Sequence, residues 1–433
     1  MDTDDRVGPA PPEPPAPIEA APTTGWRSLA VDLTPLRRSR DFRLLMVSRG
    51  VSFFGTMVTY VAVPVQVFAL TGSSLAVGLL GLVELACLLV PAFLGGALAD
   101  AMDRRRLVLR TETAFMVGVG VLVANAALDH PRVWVVFVLA GVLSALDALQ
   151  RPALDALIPR LVDVDDLTAA GAISGLQGTL AMILGPALAG ILIAGPGLTF
   201  AYSLDAATFA ASIVVLRAMA ATPPPPQAER PSLRRIAEGV RYARSRQELI
   251  GTYLVDMTAM FFGMPIALFP AMATRYGGAE VVGLLYSAPS LGAFLAMVTS
   301  GWTSRVHRHG WAIALAAVMW GAGIVVFGVA PSLWLAVVGL LVAGGADMVS
   351  GVFRMTMWNR TIPDALRGRL ASIELISYSS GPLLGNAESG VAAALVGVRA
   401  AVVSGGVLCI VGVVTAAAAL PAFRAYDDRT PVA

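Results

Sequence analysis

Apolar residues along this chain run in long, nearly unbroken stretches separated by short polar segments rich in arginine. About 18 or more such residues can cross a hydrocarbon core of about 30 Å as a helix. A helix also satisfies its own backbone hydrogen bonds where lipid offers no partner. The stretches predict spans at 44–70, 75–99, 107–128, 133–157, 168–194 and 198–220, then at 249–273, 281–302, 311–330, 332–357, 370–396 and 398–421. The organisation expected is a disordered Pro-rich start over 1–43, a six-helix half over 44–220 and a linker over 221–248. A second six-helix half over 249–421 and a short tail over 422–433 complete it. The first apolar run begins too late and runs too long for a cleavable signal.

Arginines cluster before span 1 (Arg37, Arg38, Arg40, Arg43), after span 2 (Arg104, Arg105, Arg106, Arg110), in the linker and after spans 4, 8 and 10. The alternate loops hold only Arg132, Arg275 and Arg399. Basic residues stay on the cytoplasmic side, so both termini are expected in the cytoplasm and the chain in the inner membrane. The charged content is 14%, against about a quarter for a soluble domain, and twelve spans use most of the chain and leave little for one. All 31 basic residues are arginine, which excludes a P-loop lysine and Schiff-base chemistry. With the arginines distributed between spans, the net charge of +2 gives no nucleic-acid surface. Cys87 and Cys409 fall in apolar spans and read as core residues. His130, His307 and His309 read as loop residues without zinc spacing. No cofactor, metal or enzymatic constellation is expected.

The halves repeat one another. Val77-Gly78-Leu79-Leu80 recurs as Val282-Gly283-Leu284-Leu285 at an offset of 205, and Gly96 meets Gly301 at the same offset. Asp147 and Asp347 sit alike in spans 4 and 10, and Gly185-Pro186 matches Gly381-Pro382. The fold class expected is an all-α membrane protein whose twelve helices form two halves related by pseudo-two-fold symmetry. A duplicated unit of this kind can open one midplane site alternately to each side.

After span 2 comes Gly95-Gly96-Ala97-Leu98-Ala99-Asp100, then Asp103-Arg104-Arg105-Arg106. This resembles the loop motif of the major facilitator superfamily, with Asp103 where a second glycine is usual. Ala181 to Gly190, around Gly185-Pro186, resembles the antiporter motif of exporters in that superfamily, with Ala181 and Ala189 in place of glycines. Arg49-Gly-Val-Ser52, Val61-Ala-Val-Pro64-Val-Gln66, Leu268-Phe-Pro270-Ala-Met272 and Val282 to Tyr286 follow the order of one branch of it. That branch holds enterobactin-type siderophore exporters and macrolide efflux pumps. The resemblance implies a secondary active exporter that exchanges its cargo for protons by alternating access, with a siderophore as cargo. The alternative is a multidrug or macrolide pump of the same fold. A monomer in the lipid bilayer is expected, with a small molecule and protons as its partners.

Charge within a span is costly and marks function by default. Glu84, Glu388, Asp205, Asp256 and Arg49 are therefore the candidate proton-coupling or substrate groups, since a buried carboxyl can bind and release a proton as its surroundings change. Asp147 with Arg151, and Asp347 with Arg354, share helix faces and read as ion-pair gates. Asp100, Arg104, Arg105, Gly185 and Pro186 join them as the conformational motif. Glu374, near a span end, reads as peripheral. Trp134, Trp302, Trp311, Trp334 and Trp358 are expected in interfacial belts. Phe53, Phe54, Tyr60, Phe261 and Phe262 read as packing residues, with contact to an aromatic cargo as the alternative.

Overall fold

The computed structural model describes residues 32–222, 241–242, 244–362 and 364–429, without the side chains of residues 93, 96, 97, 99, 100 and 364–378. The Pro-rich start, Arg234 and Arg235 of the linker, and the side chains of Asp100 and Glu374 lie outside the described residues. Twelve long helices follow in order: α1 (Arg40–Thr71), α2 (Ser74–Ala101), α3 (Arg104–Ala126), α4 (Val133–Leu161), α5 (Leu167–Ala194) and α6 (Leu198–Arg217). The second set is α7 (Gln247–Phe262), α8 (Ala279–Val298), α9 (His309–Val329), α10 (Leu333–Thr361), α11 (Asp364–Val396) and α12 (Val398–Ala419). Eleven of the spans are long and apolar enough to cross a membrane on described residues alone, and α11, at 33 residues, is the twelfth.

Local chemistry sets the helix starts. Ser39 caps α1 by accepting from the Phe42 amide at 3.1 Å, and Ser73 caps α2 through the Ala76 amide at 3.3 Å. Asp103 caps α3 through the Arg106 amide at 3.0 Å. Each satisfies an N–H that has no partner within its own helix. Several helices outrun the apolar stretch that predicts them: α4 continues to Leu161 through Pro152 and Pro159, and α10 continues to Thr361. Hydropathy marks only the part inside hydrocarbon. The 29 residues of α4 rise about 43 Å, enough to include the headgroup layers.

The packing obeys the predicted symmetry. Pairs α1/α6, α3/α6 and α2/α4 in the first half recur as α7/α12, α9/α12 and α8/α10 in the second, while α2/α11 and α5/α8 join the halves. One element departs from it. α1 runs through Pro64 unbroken, but α7 stops at Phe262 and resumes as a short turn over Ile266–Leu268 and a helix over Phe269–Ala273. Its freed backbone groups find side-chain partners. Trp320 Nε1 donates to the Gly263 carbonyl at 2.9 Å, the Ala267 amide donates to Asn386 Oδ1 at 3.2 Å, and the Tyr286 hydroxyl donates to the Ile266 carbonyl at 3.3 Å. Irregular backbone at membrane depth survives only where protein supplies such partners.

Two sequence expectations are corrected. Trp134, Trp302, Trp311 and Trp334 are exposed, as a belt requires, but Trp358 is buried and donates to Thr252 Oγ1 at 2.9 Å. It couples α10 to α7. His309 is no loop residue: it opens α9 and is buried.

After α12 the chain turns back under the second half. Phe423 is fully buried against α7 and α9, and Asp428 pairs with His307 at 2.8 Å and Arg360 at 3.1 Å. Phe423→Ala is expected to cost about 3 kcal/mol, because the cavity it leaves is walled by helices that cannot collapse into it. A lowered melting temperature of the purified protein is the check; an unchanged one would place the tail outside the cooperative fold.

Candidate functional site

The two halves meet at the end of the molecule remote from the chain termini. Gly78 of α2 lies against Gly390 of α11, and a Cβ at Gly78 would sit 2.6 Å from the Asn386 carbonyl oxygen and 2.8 Å from Gly390 Cα. The partner contact is Gly190 of α5 against Gly283 of α8, where a Cβ on Gly190 would sit 2.8 Å from the Gly283 amide nitrogen. Small residues let helices come to backbone contact. Ser287 of α8 adds a bond across the halves, donating to the Ile183 carbonyl at 2.7 Å. Tyr60 of α1 meets Tyr286 edge-on with ring centroids 5.7 Å apart, and Tyr286 in turn meets Phe269 at 5.1 Å. The repeated Val-Gly-Leu-Leu of the sequence is thus the same half of two symmetry-related seals.

Three further packed pairs between the halves fall at this end: α1 with α8, α1 with Phe269–Ala273, and α2 with Ile266–Leu268. Among the described residues, these contacts close the seam between the halves at the far end. Gly185-Pro186 serves both partners of α5. Gly185 lies against Met57 and Phe54 of α1, and the Pro186 carbonyl faces Gly283 across the seam. In the second half, Gly381 and Gly385 of α11 lie against α7 in the same way.

The candidate charges separate into three groups. Glu84 lies one turn from Gly81, which packs on the Leu383 carbonyl, so it sits just inside the seal, about 4.5 Å toward the termini by helix rise. It lies within electrostatic reach of Tyr286, as does Tyr60. Glu388 is half-buried, between Asn386 and Gly390 in the seal itself.

The second group lies nearer the termini. Arg354 of α10 pairs with Asp256 of α7 and reaches Asp347 at 3.5 Å. A residue expected to act alone, Asp256, is thus the principal partner of an arginine expected to pair within its own helix. Asp147 and Arg151 of α4 share a helix face without an ion pair between them; Arg151 and Arg49 are the positive charges acting on Asp147. Arg104 Nη1 donates to the Ala156 carbonyl at 3.1 Å, while Arg105 donates to the Leu216 carbonyl at 2.9 Å and the Arg217 carbonyl at 2.7 Å. Arg105 so places positive charge on the exposed carbonyls at the C-terminus of α6. Asp103 accepts from the Thr222 amide at 3.2 Å, tying the same loop to the chain beyond α6.

The third group is inside the first half. Asp205 of α6 is 1% exposed and accepts from Thr59 at 2.5 Å and from Thr208 at 3.3 Å. Glu112 of α3, which the sequence does not single out, is 4% exposed. It follows the arginine-rich start of its span closely. Its Oε1 accepts from Gln150 at 2.9 Å and from Ser52 at 3.3 Å, and its Oε2 has no hydrogen-bond partner.

Comparison with known proteins places the chain in a family. Residues 30–432 match the model of a major facilitator family described as transmembrane secretion effector. The chain is 30% identical over 388 residues to the enterobactin exporter EntS of Citrobacter koseri, covering 89% of this chain and 93% of that protein. The Escherichia coli O1:K1 exporter of the same name is 30% identical over 389 residues, with 89% and 94% covered. Among solved structures, a bacterial homologue of the lysosomal transporter Spinster, inward-facing and unoccupied, superposes with a TM-score of 0.72 at 14% identity, over 88% of this chain and 96% of that one. That likeness is one of fold. The relatives are transporters rather than enzymes, and this chain belongs to the transmembrane secretion effector family of the major facilitator superfamily.

Proposed function

We propose that the protein exports a siderophore of the enterobactin class across the inner membrane, taking up protons in exchange as the two halves rock about a central site. The observation that carries this is the 30% identity to enterobactin exporters, sustained over 89% of the chain rather than confined to one motif. Geometry supports the same direction of transport. With the termini in the cytoplasm, as the arginine distribution predicts, the closed end of the seam is the outer one, and the terminal end faces the compartment from which an exporter loads. Both rocking halves belong to one chain, so a monomer suffices.

At the closed end, Tyr60 and Tyr286 meet edge-on, and Glu84 lies within electrostatic reach of Tyr286. A catecholate cargo offers complementary groups: flat rings that stack edge-on and hydroxyls that donate to a carboxylate. Inside-out vesicles containing the protein, given an acid interior, are expected to accumulate iron-free enterobactin until a protonophore is added. Accumulation of macrolides or dyes instead would assign the drug-pump activity and overturn the siderophore reading. Glu84→Gln is expected to lower enterobactin accumulation about tenfold, the effect of losing one charge-assisted hydrogen bond. Normal accumulation in that variant would remove Glu84 from the site.

A further inference from the structure

The two halves share a fold but not an interior. In the second half, the buried residues of α7, α9 and α12 merge into one apolar cluster, with Val255, Ala259, Ala317, Ile324, Val402 and Cys409 at the shared interface. In the first half, the equivalent helices α1, α3 and α6 hold two separate apolar clusters. A buried polar layer runs between and alongside them. Ser48 and Ser212 hydrogen-bond at 2.7 Å, Ser52 and Gln150 donate to Glu112, and Thr59 and Thr208 donate to Asp205. Toward the far end, the Tyr202 hydroxyl donates to Gln66 Oε1 at 2.8 Å.

The α1 members of this layer, Ser48, Ser52, Thr59 and Gln66, lie on one helix face. They span about 27 Å by helix rise, nearly the full hydrocarbon thickness of about 30 Å. The second half shows that the interface closes without a single carboxyl. Packing alone does not require Glu112 and Asp205, and burying them is expensive. No basic side chain among the described residues pairs with or hydrogen-bonds to either carboxyl. The groups that face Glu112 are Ser52 from α1, Gln150 from α4 and Ser212 from α6, with Asp205 the titratable neighbour that interacts with it. Those facing Asp205 are Thr59 from α1, Thr208 on its own helix, Glu112 and Tyr202. On Glu112, one oxygen takes the donors while the other is buried with no partner.

We propose that Glu112, with Asp205 as the neighbouring station, is the proton-carrying site of the transporter, inside the first half and apart from the cargo site at Glu84. This rests on the antiport reading above. The vacant Oε2 lone pair takes a proton that enters by the hydroxyl and amide groups of the layer from the far side. The carboxylic acid returns that proton, as Glu112 carboxylate plus H⁺, toward the termini when the halves exchange positions.

The test needs no cargo at its first step. Infrared difference spectra of the full-length purified protein, recorded through a pH titration, are expected to show a protonated-carboxyl band that disappears in Glu112→Gln and persists in Glu84→Gln. In proteoliposomes, Glu112→Gln is expected to retain enterobactin counterflow without a gradient but to lose pH-driven accumulation, and Glu112→Asp to recover part of it. A band that survives in both Glu112→Gln and Asp205→Asn, or unimpaired driven accumulation in both, would overturn the proposal. Should Glu112→Gln fail to fold, Ser52→Ala is expected to move the midpoint of the band; an unmoved midpoint counts against the site. A wild-type protein that holds the Glu112 band yet transports indifferently to pH would instead refute antiport and leave the proton site standing.

Discussion

A leucine in place of Gly283 is expected to abolish net export and to leave the protein open at its far end. A Cβ there meets the Gly190 amide nitrogen at 2.8 Å and the Gly190 Cα at 2.9 Å, so the obstacle is the backbone of α5. Overpacking a core ordinarily costs about 1–3 kcal/mol, because neighbouring side chains shift to new rotamers. Here no rotamer can shift, and relief comes only by separating α5 from α8, which opens the seal along its length. About 5.5 kcal/mol carries a two-state equilibrium from 99:1 to 1:99. A steric block that only one of the two states feels is the kind of differential interaction that moves it. The readout is a cysteine at position 287, where the serine is 4% exposed. Ser287→Cys is expected to resist a membrane-impermeant maleimide, and to react with it once Gly283→Leu is added. Gly120→Leu is the control, because a Cβ at Gly120 meets nothing within 4 Å. Normal transport by the Gly283→Leu protein would show that the α5/α8 contact is no part of the cycle.

The same glycines show what could be read from the sequence. A repeat of Val-Gly-Leu-Leu is informative because both copies answer one requirement, backbone contact across a symmetric seam, and a requirement met twice leaves its trace twice. The spans were legible because lipid demands continuous apolar helices. The charge partnerships were not. Asp347 and Arg354 share a helix and suggest a local pair, yet Asp256, about a hundred residues away in sequence, is the closer partner, and only the packing of α7 beside α10 brings it there. Glu112 was hidden for a different reason. Eight residues after Arg104 on α3, it belongs by sequence to the polar start of its span, and only the tight apposition of α1, α4 and α6 takes it out of water. Trp358 is a similar case: a tryptophan near a span end reads as an interfacial anchor until Thr252 is found beneath it.

Arg354→Ala is expected to impair both stability and transport, and a second substitution separates the two effects. Arg354 and Asp256 are each 13% exposed and Asp347 is 41% exposed, so deleting the arginine strands one nearly buried carboxylate and one that water can still reach. Breaking a buried pair costs about 3–5 kcal/mol, most of it the burden of the charge left behind. Asp256 should therefore account for most of the loss and Asp347 for little. On that reasoning the double variant Asp256→Asn, Arg354→Gln recovers the melting temperature, since a neutral hydrogen-bonded pair replaces the ionic one. Transport is expected to stay lost. The first half presents a related set, Arg49, Asp147 and Arg151, at the same end of the molecule. When the halves exchange positions and the terminal end closes, the charges of α7 and α10 are available to those of α1 and α4, and a neutral pair cannot answer them. Recovery of transport together with stability would mean that the three residues only hold α7 to α10, and that the closure relies on other contacts.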